Sequence, residues 1–104
     1  MQTRYSIPLS TIARAVIELD EVENGATVIT NIYTPPRFRG QGYASALLEK
    51  VIQDADDEDV TLMLLIIPCG GLDYQALRDW YERFGFVCDD DDELNFERKP
   101  RALA

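Results

Sequence analysis

From Ala44 onward the apolar residues fall at Ala44, Leu47, Leu48, Val51, Ile52 and Ala55, the spacing of a helix with a single apolar face. The pattern predicts a first helix from about Gly42 to Asp54, followed by a solvated acidic loop through Asp59. Upstream, Ile12 to Leu19 and Ala26 to Tyr33 are rich in β-branched and apolar residues and read as strands. Asn24-Gly25 between them is a strong hairpin signal, so the two strands pair antiparallel. Val60 to Ile67 is a continuous apolar run, which suits a strand buried on both faces. Strand, helix and strand make a right-handed crossover, which sets this strand parallel to Ala26–Tyr33. A second helix carries Leu77, Trp80, Tyr81 and Phe84, with Asp73 as its N-cap and Gly85 just past its end. Pro68-Cys69-Gly70-Gly71 before it is a loop. Phe86 to Cys88 and Leu94 to Arg98 read as two short strands around Asp89-Asp90-Asp91-Asp92-Glu93. Met1 to Ser10 is weakly patterned, and Ile7-Pro8 suggests a turn or an edge segment. The expected fold is α/β: one domain over residues 1–104, with a mixed central sheet and two main helices.

The chemistry concentrates where the Ala26–Tyr33 strand hands over to the first helix. Pro35 and Pro36 cannot continue a strand interior, so the strand stops at about Thr34. A helix start offers unpaired N–H groups and the positive end of the helix dipole. Gly40 and Gly42 let a ligand approach the backbone closely, and Arg37 and Arg39 add positive charge. The product is a phosphate or pyrophosphate cradle. The bland alternative is a plain turn with two solvated arginines. No Gly-Lys-Ser/Thr follows, so this is not a Walker loop, and a dinucleotide fingerprint would need a third glycine and a later acid.

Arg39-Gly40-Gln41-Gly42-Tyr43-Ala44 resembles the Arg/Gln-x-x-Gly-x-Gly/Ala motif of the GCN5-related N-acetyltransferases (GNAT). Ile32-Tyr33-Thr34-Pro35-Pro36-Arg37-Phe38 is similar to the end of that family's fourth strand. Trp80-Tyr81-Glu82-Arg83-Phe84-Gly85-Phe86 resembles the aromatic-Tyr-Glu-Lys/Arg-x-Gly-Phe segment near the end of its last helix. The resemblance spans about Ala26 to Pro100 and implies a minimal GNAT fold with splayed parallel strands. It implies acetyl-CoA as co-substrate and a compact form like that of phage-borne members. Family members usually carry an extra strand and one or two helices before the hairpin, which help wall in the acceptor; only about ten residues precede it here. The acceptor side is therefore expected to be open, or completed by a second subunit in a homodimer.

By the same resemblance, the backbone of Ile32, Tyr33 and Thr34 pairs with the pantetheine arm. The N–H groups of Arg39, Gly40, Gln41, Gly42, Tyr43, Ala44 and Ser45 hold the pyrophosphate. Tyr81 is the general acid for the leaving thiolate; a phenol of pKa about 10 suits that proton. On pattern alone Tyr81 also reads as a core tyrosine, and Trp80, Phe84 and Phe86 read as core. No carboxylate lies in Ala26–Thr34, so the general base stays open among Glu18, Asp20, Glu23, Asp73 and a water chain.

The formal net charge of −9, with no histidine, argues against nucleic acid and anionic membranes as direct partners. It favours a basic protein carrying the acceptor amine. It also removes Ser-His and Cys-His nucleophile pairs and imidazole metal ligands, and no spacing of acids and cysteines suggests a metal. Cys69 and Cys88 read as reduced thiols, and without a signal-peptide pattern a cytoplasmic location is expected. The longest apolar run, Leu62 to Ile67, is too short to span a bilayer. The leading reading is an N-acetyltransferase for a protein lysine or N-terminus. A rival of another class is an acidic pseudoenzyme that binds a basic protein. An acetyltransferase for a small polyamine or aminoglycoside ranks third, because the acceptor wall is missing.

Overall fold

The computed structural model describes residues 2–21, 26–65, 73–89 and 92–101. Among these residues six strands form one mixed sheet in the order β1-β2-β3-β4-β6-β5. They are β1 (Arg4–Pro8), β2 (Arg14–Glu21), β3 (Ala26–Tyr33), β4 (Thr61–Leu65), β5 (Val87–Asp89) and β6 (Asp92–Arg98). Two helices complete it, α1 (Tyr43–Asp57) and α2 (Tyr74–Arg83). The β2–β3 pair is antiparallel and the β3–β4 pair parallel, as hairpin and crossover require. The turn expected at Asn24-Gly25 and the loop at Pro68–Gly71 lie outside the described residues.

Strand alternation sorts the sheet into two faces. Tyr5, Ala15, Ile17, Leu19, Ile29, Leu62, Leu64 and Phe96 join Leu47, Leu48, Val51 and Ala55 of α1 and Leu77 and Tyr81 of α2 in one core. Both helices therefore cover the same face. The opposite face carries Val16, Glu18, Asp20, Val28 and Met63, and no described element covers it.

Of the turn and the edge segment expected at Ile7-Pro8, the structure has the edge: β1 is an edge strand paired along β2 from Arg4↔Glu18 to Pro8↔Arg14, and it supplies a strand before the hairpin. Three expectations shift. β2 begins at Arg14, because Leu9 to Ala13 form a tight turn in which the Ser10 hydroxyl accepts from the Ile12 and Ala13 N–H groups. Ile12 is 96% exposed there. The acidic run after the first helix is mostly helix: α1 continues to Asp57. Tyr5 donates to Asp54 at 2.6 Å and Arg98 donates to Asp56, so partners distant in sequence hold the last turn. The flanking strands β5 and β6 reach Asp89 and Asp92, further into the second acidic run than their apolar residues suggest.

The remaining signals act locally as expected. Asp73 caps α2, its Oδ1 accepting from the Ala76 N–H at 2.8 Å. Gly85 follows that helix in the left-handed conformation, φ 92°.

Candidate functional site

β3 contains one irregularity, and it lies beside the glycine turn. Tyr33, Ile32 and Asn31 pair with Val16, Ile17 and Glu18, then Ile29 pairs with Leu19, so Thr30 is an extra residue. This is a β-bulge, which bends a strand and interrupts its ladder. The Thr30 hydroxyl fastens it by donating to the Glu18 carbonyl at 3.2 Å. On the other side of β3, parallel pairing with β4 is described from Ala26↔Thr61 to Ile29↔Leu64, and β4 itself is described as far as Leu65, opposite Asn95 of β6. From Asn31 to Tyr33, β3 continues along β2 beyond the bulge. The splay that the sequence resemblance implies falls at residues following Leu65, outside the described part of β4.

The chain then turns through a short 3-10 segment, Pro36–Phe38. Arg39 braces the turn: its Nε donates to the Thr34 carbonyl at 2.9 Å, tying the end of β3 to the approach to α1. Its backbone N–H is directed inward to the Pro36 carbonyl at 3.4 Å, so the N–H groups left for a ligand begin at Gly40. Gly40 and Gly42 have φ of 79° and 86°. A Cβ at either would meet nothing within 4 Å. Both glycines are therefore needed for backbone conformation, and the space above them is open. Gly42 is the N-cap of α1 with no side chain capping the helix, so the first-turn N–H groups stay available to an anion. Ile32, Thr34, Tyr43, Ala44 and Ser45 are half-buried around this turn, while Tyr33, Arg37, Gln41 and both glycines are exposed.

Tyr81 is 9% exposed, on the last turn of α2. Its ring meets Trp80 edge-on at 4.9 Å and Phe86 at 5.7 Å. Trp80 reaches further than a core residue needs to. Its indole N–H donates to Ser45 Oγ at 3.1 Å, joining α2 to the first turn of α1. The sequence gives no warning of this contact; for the bulge its one signal is the three-residue step from Ile29 to Ile32, both on the core face, where strict alternation needs two.

The candidate bases separate. Asp73 is occupied as an N-cap. Glu18 lies opposite Asn31 next to the bulge, on the helix-free face, and accepts from Asn31 Nδ2 at 3.1 Å. Asp20 lies opposite Val28, and Glu23 is outside the described residues. Among the described residues no group of three or more Cys, Asp or Glu could hold a metal ion. Among the described residues no helix is long and apolar enough to cross a membrane.

Residues 10–88 match the family model of the acetyltransferase (GNAT) domain. No curated protein matches the chain in sequence. Among solved structures, the chain is similar to the anti-CRISPR protein AcrVA5, with TM-score 0.66 and 18% identity, covering 92% of this chain and 98% of that one. It is also similar to the ribosomal-protein-S18-alanine N-acetyltransferase from Escherichia coli, with TM-score 0.71 and 20% identity, covering 100% of this chain and 73% of that one. A GNAT family acetyltransferase from Elizabethkingia anophelis with acetyl-CoA bound matches with TM-score 0.65 and 18% identity, over 82% of this chain and 67% of that one. The mixed sheet with two helices fits this fold, the matched domain covers the glycine turn at the start of α1, and the chain belongs to the GNAT acetyltransferase family.

Proposed function

We propose that the chain transfers an acetyl group from acetyl-CoA to a primary amine, a protein lysine or N-terminus. The observation that supports this best is the open run of helix-start N–H groups behind Gly40 and Gly42, reached from the end of the bulged strand β3. Ile32, Tyr33 and Thr34 would offer main-chain partners to the pantetheine arm. Gly40 to Ser45 would hold the pyrophosphate, with Arg39 keeping the turn in shape. The neutral amine attacks the thioester carbonyl carbon; the C–N bond forms and the C–S bond breaks. Tyr81 gives its phenolic proton to the leaving thiolate. The amine's surplus proton leaves to water, with Glu18 the carboxylate beside the bulge.

A protein acceptor fits the helix-free sheet face, where no described element encloses a small molecule. The net charge of −9 suits a basic partner. By its name, the Escherichia coli neighbour acetylates an alanine of a ribosomal protein. The acidity also suits the rival reading, a pseudoenzyme that binds a basic protein and turns over nothing.

The test is Tyr81→Phe assayed with acetyl-CoA and a panel of basic peptides. A loss of kcat by about two orders of magnitude with acetyl-CoA binding retained supports the general acid. Equal turnover in both proteins removes Tyr81 from that role. Peptide binding without turnover in the wild type supports the pseudoenzyme.

A further inference from the structure

Trp80 is half-buried and packed edge-on against Tyr81 and Phe84, with ring centroids 4.9 and 5.3 Å away. Packing alone asks for no N–H at this position; a phenylalanine would meet the same neighbours. The indole N–H is nevertheless aimed 35 residues back along the chain, at Ser45 Oγ. Indole nitrogen donates and cannot accept, so the direction of this bond is fixed. Ser45 Oγ is the acceptor, and the hydroxyl keeps its own proton to give. Among the described residues none accepts that proton. A hydroxyl that accepts one hydrogen bond also becomes a stronger donor. Ser45 is the third residue of α1, within the turn whose N–H groups lack helical acceptors.

We propose that Trp80 is a positioning residue coupling the phosphate end of the acyl donor to the helix that carries Tyr81. It holds the Ser45 hydroxyl so that its proton faces a donor phosphate, and Tyr81 follows Trp80 on the same turn of α2. This rests on the acetyl-CoA reading above. When the turn fills, the Ser45 hydroxyl gains an acceptor, and the strain or relief is felt at the indole next to Tyr81. The donor's phosphates thereby help set the position of the acid.

Trp80 is the only tryptophan in the chain, so its fluorescence reports on this contact directly. The experiment titrates the full chain with acetyl-CoA, by calorimetry and by tryptophan emission, alongside Ser45→Ala, Ser45→Thr and Trp80→Phe. In the wild type the emission changes with the calorimetric midpoint. Ser45→Ala and Trp80→Phe each weaken binding about threefold to tenfold, the scale of one hydrogen bond. The double variant loses no more than either single, and Ser45→Thr restores both affinity and emission change. Should Trp80→Phe fold poorly, Ser45→Ala at the helix start carries the comparison. Calorimetric binding with unmoved emission, unchanged affinity in Ser45→Ala, or additive losses would overturn the proposal. A wild-type protein that gives no heat with acetyl-CoA would overturn the donor reading itself, and the coupling with it.

Discussion

Arg98 and Asp56 form a bidentate ion pair, Nη1 to Oδ1 at 2.7 Å and Nη2 to Oδ2 at 3.1 Å, that joins the end of β6 to the last turn of α1. Their side chains are 4% and 13% exposed, and Arg98 Nε also donates to the Phe84 carbonyl at 2.9 Å. Removing one partner of a buried pair leaves the other charge stranded. Arg98→Met is therefore expected to cost about 3 kcal/mol, slightly reduced because the Arg101 N–H still serves Asp56. Urea unfolding of variant and wild type checks this; a midpoint within error of wild type would show the pair to be idle.

Acid should weaken the same joint. The Arg98 guanidinium beside Asp56 holds its carboxyl below the usual carboxylate range, against the opposing effect of burial. The folded state then binds fewer protons than the unfolded chain. This contribution is complete above the unfolded value of about pH 4 and is lost as pH falls through the lower folded value. Asp56→Asn should be less stable than wild type at neutral pH and have a shallower acid limb. Parallel acid limbs in the two melts would place the acid sensitivity elsewhere.

Arg39 offers a choice between charge and shape. Its Nε donates to the Thr34 carbonyl from a rigid planar guanidinium whose Nη donors lie on the far side; lysine has one nitrogen for both tasks. Arg39→Ala is expected to weaken acetyl-CoA binding about tenfold, or roughly 1.4 kcal/mol. Arg39→Lys should recover less than half of that free energy. Full recovery by lysine in a calorimetric titration would mean that charge alone matters.

Gly42 is required for its backbone, with φ at 86° and open space beside it. An alanine there meets no neighbour yet pays about 1–2 kcal/mol for the left-handed conformation. The turn can escape that strain only by rotating its N–H groups. Gly42→Ala should therefore lose acetyl-CoA affinity tenfold or more, with a drop in Tm of several degrees. Unaltered affinity would show that those N–H groups hold no phosphate.

The local rules were readable where a residue and its effect are near neighbours. Ala26–Tyr33 is the observed β3 because two prolines end it, and Asp73 caps α2 because its carboxylate needs only the N–H three residues on. The parallel β3–β4 pairing followed from crossover handedness. What stayed hidden depends on residues far apart. The run from Asp54 to Asp57 looks like a loop until Tyr5, 49 residues away, and Arg98, 42 residues away, supply partners. Trp80 looks like core until Ser45 is beside it. The bulge carries no glycine; its mark is only the three-residue step between Ile29 and Ile32, and it shifts the β2–β3 register by one residue.

That offset reduces to arithmetic. Leaving out Thr30 would make Asn31 follow Ile29, and every residue from Asn31 to Tyr33 would keep its present face in an unbroken ladder with β2. Nothing would then interrupt the β2–β3 ladder or bend β3 where it leads to the glycine turn. One in-frame codon separates a bulged strand from a regular one. A single three-nucleotide deletion would thus straighten the approach to the turn while leaving the apolar core intact.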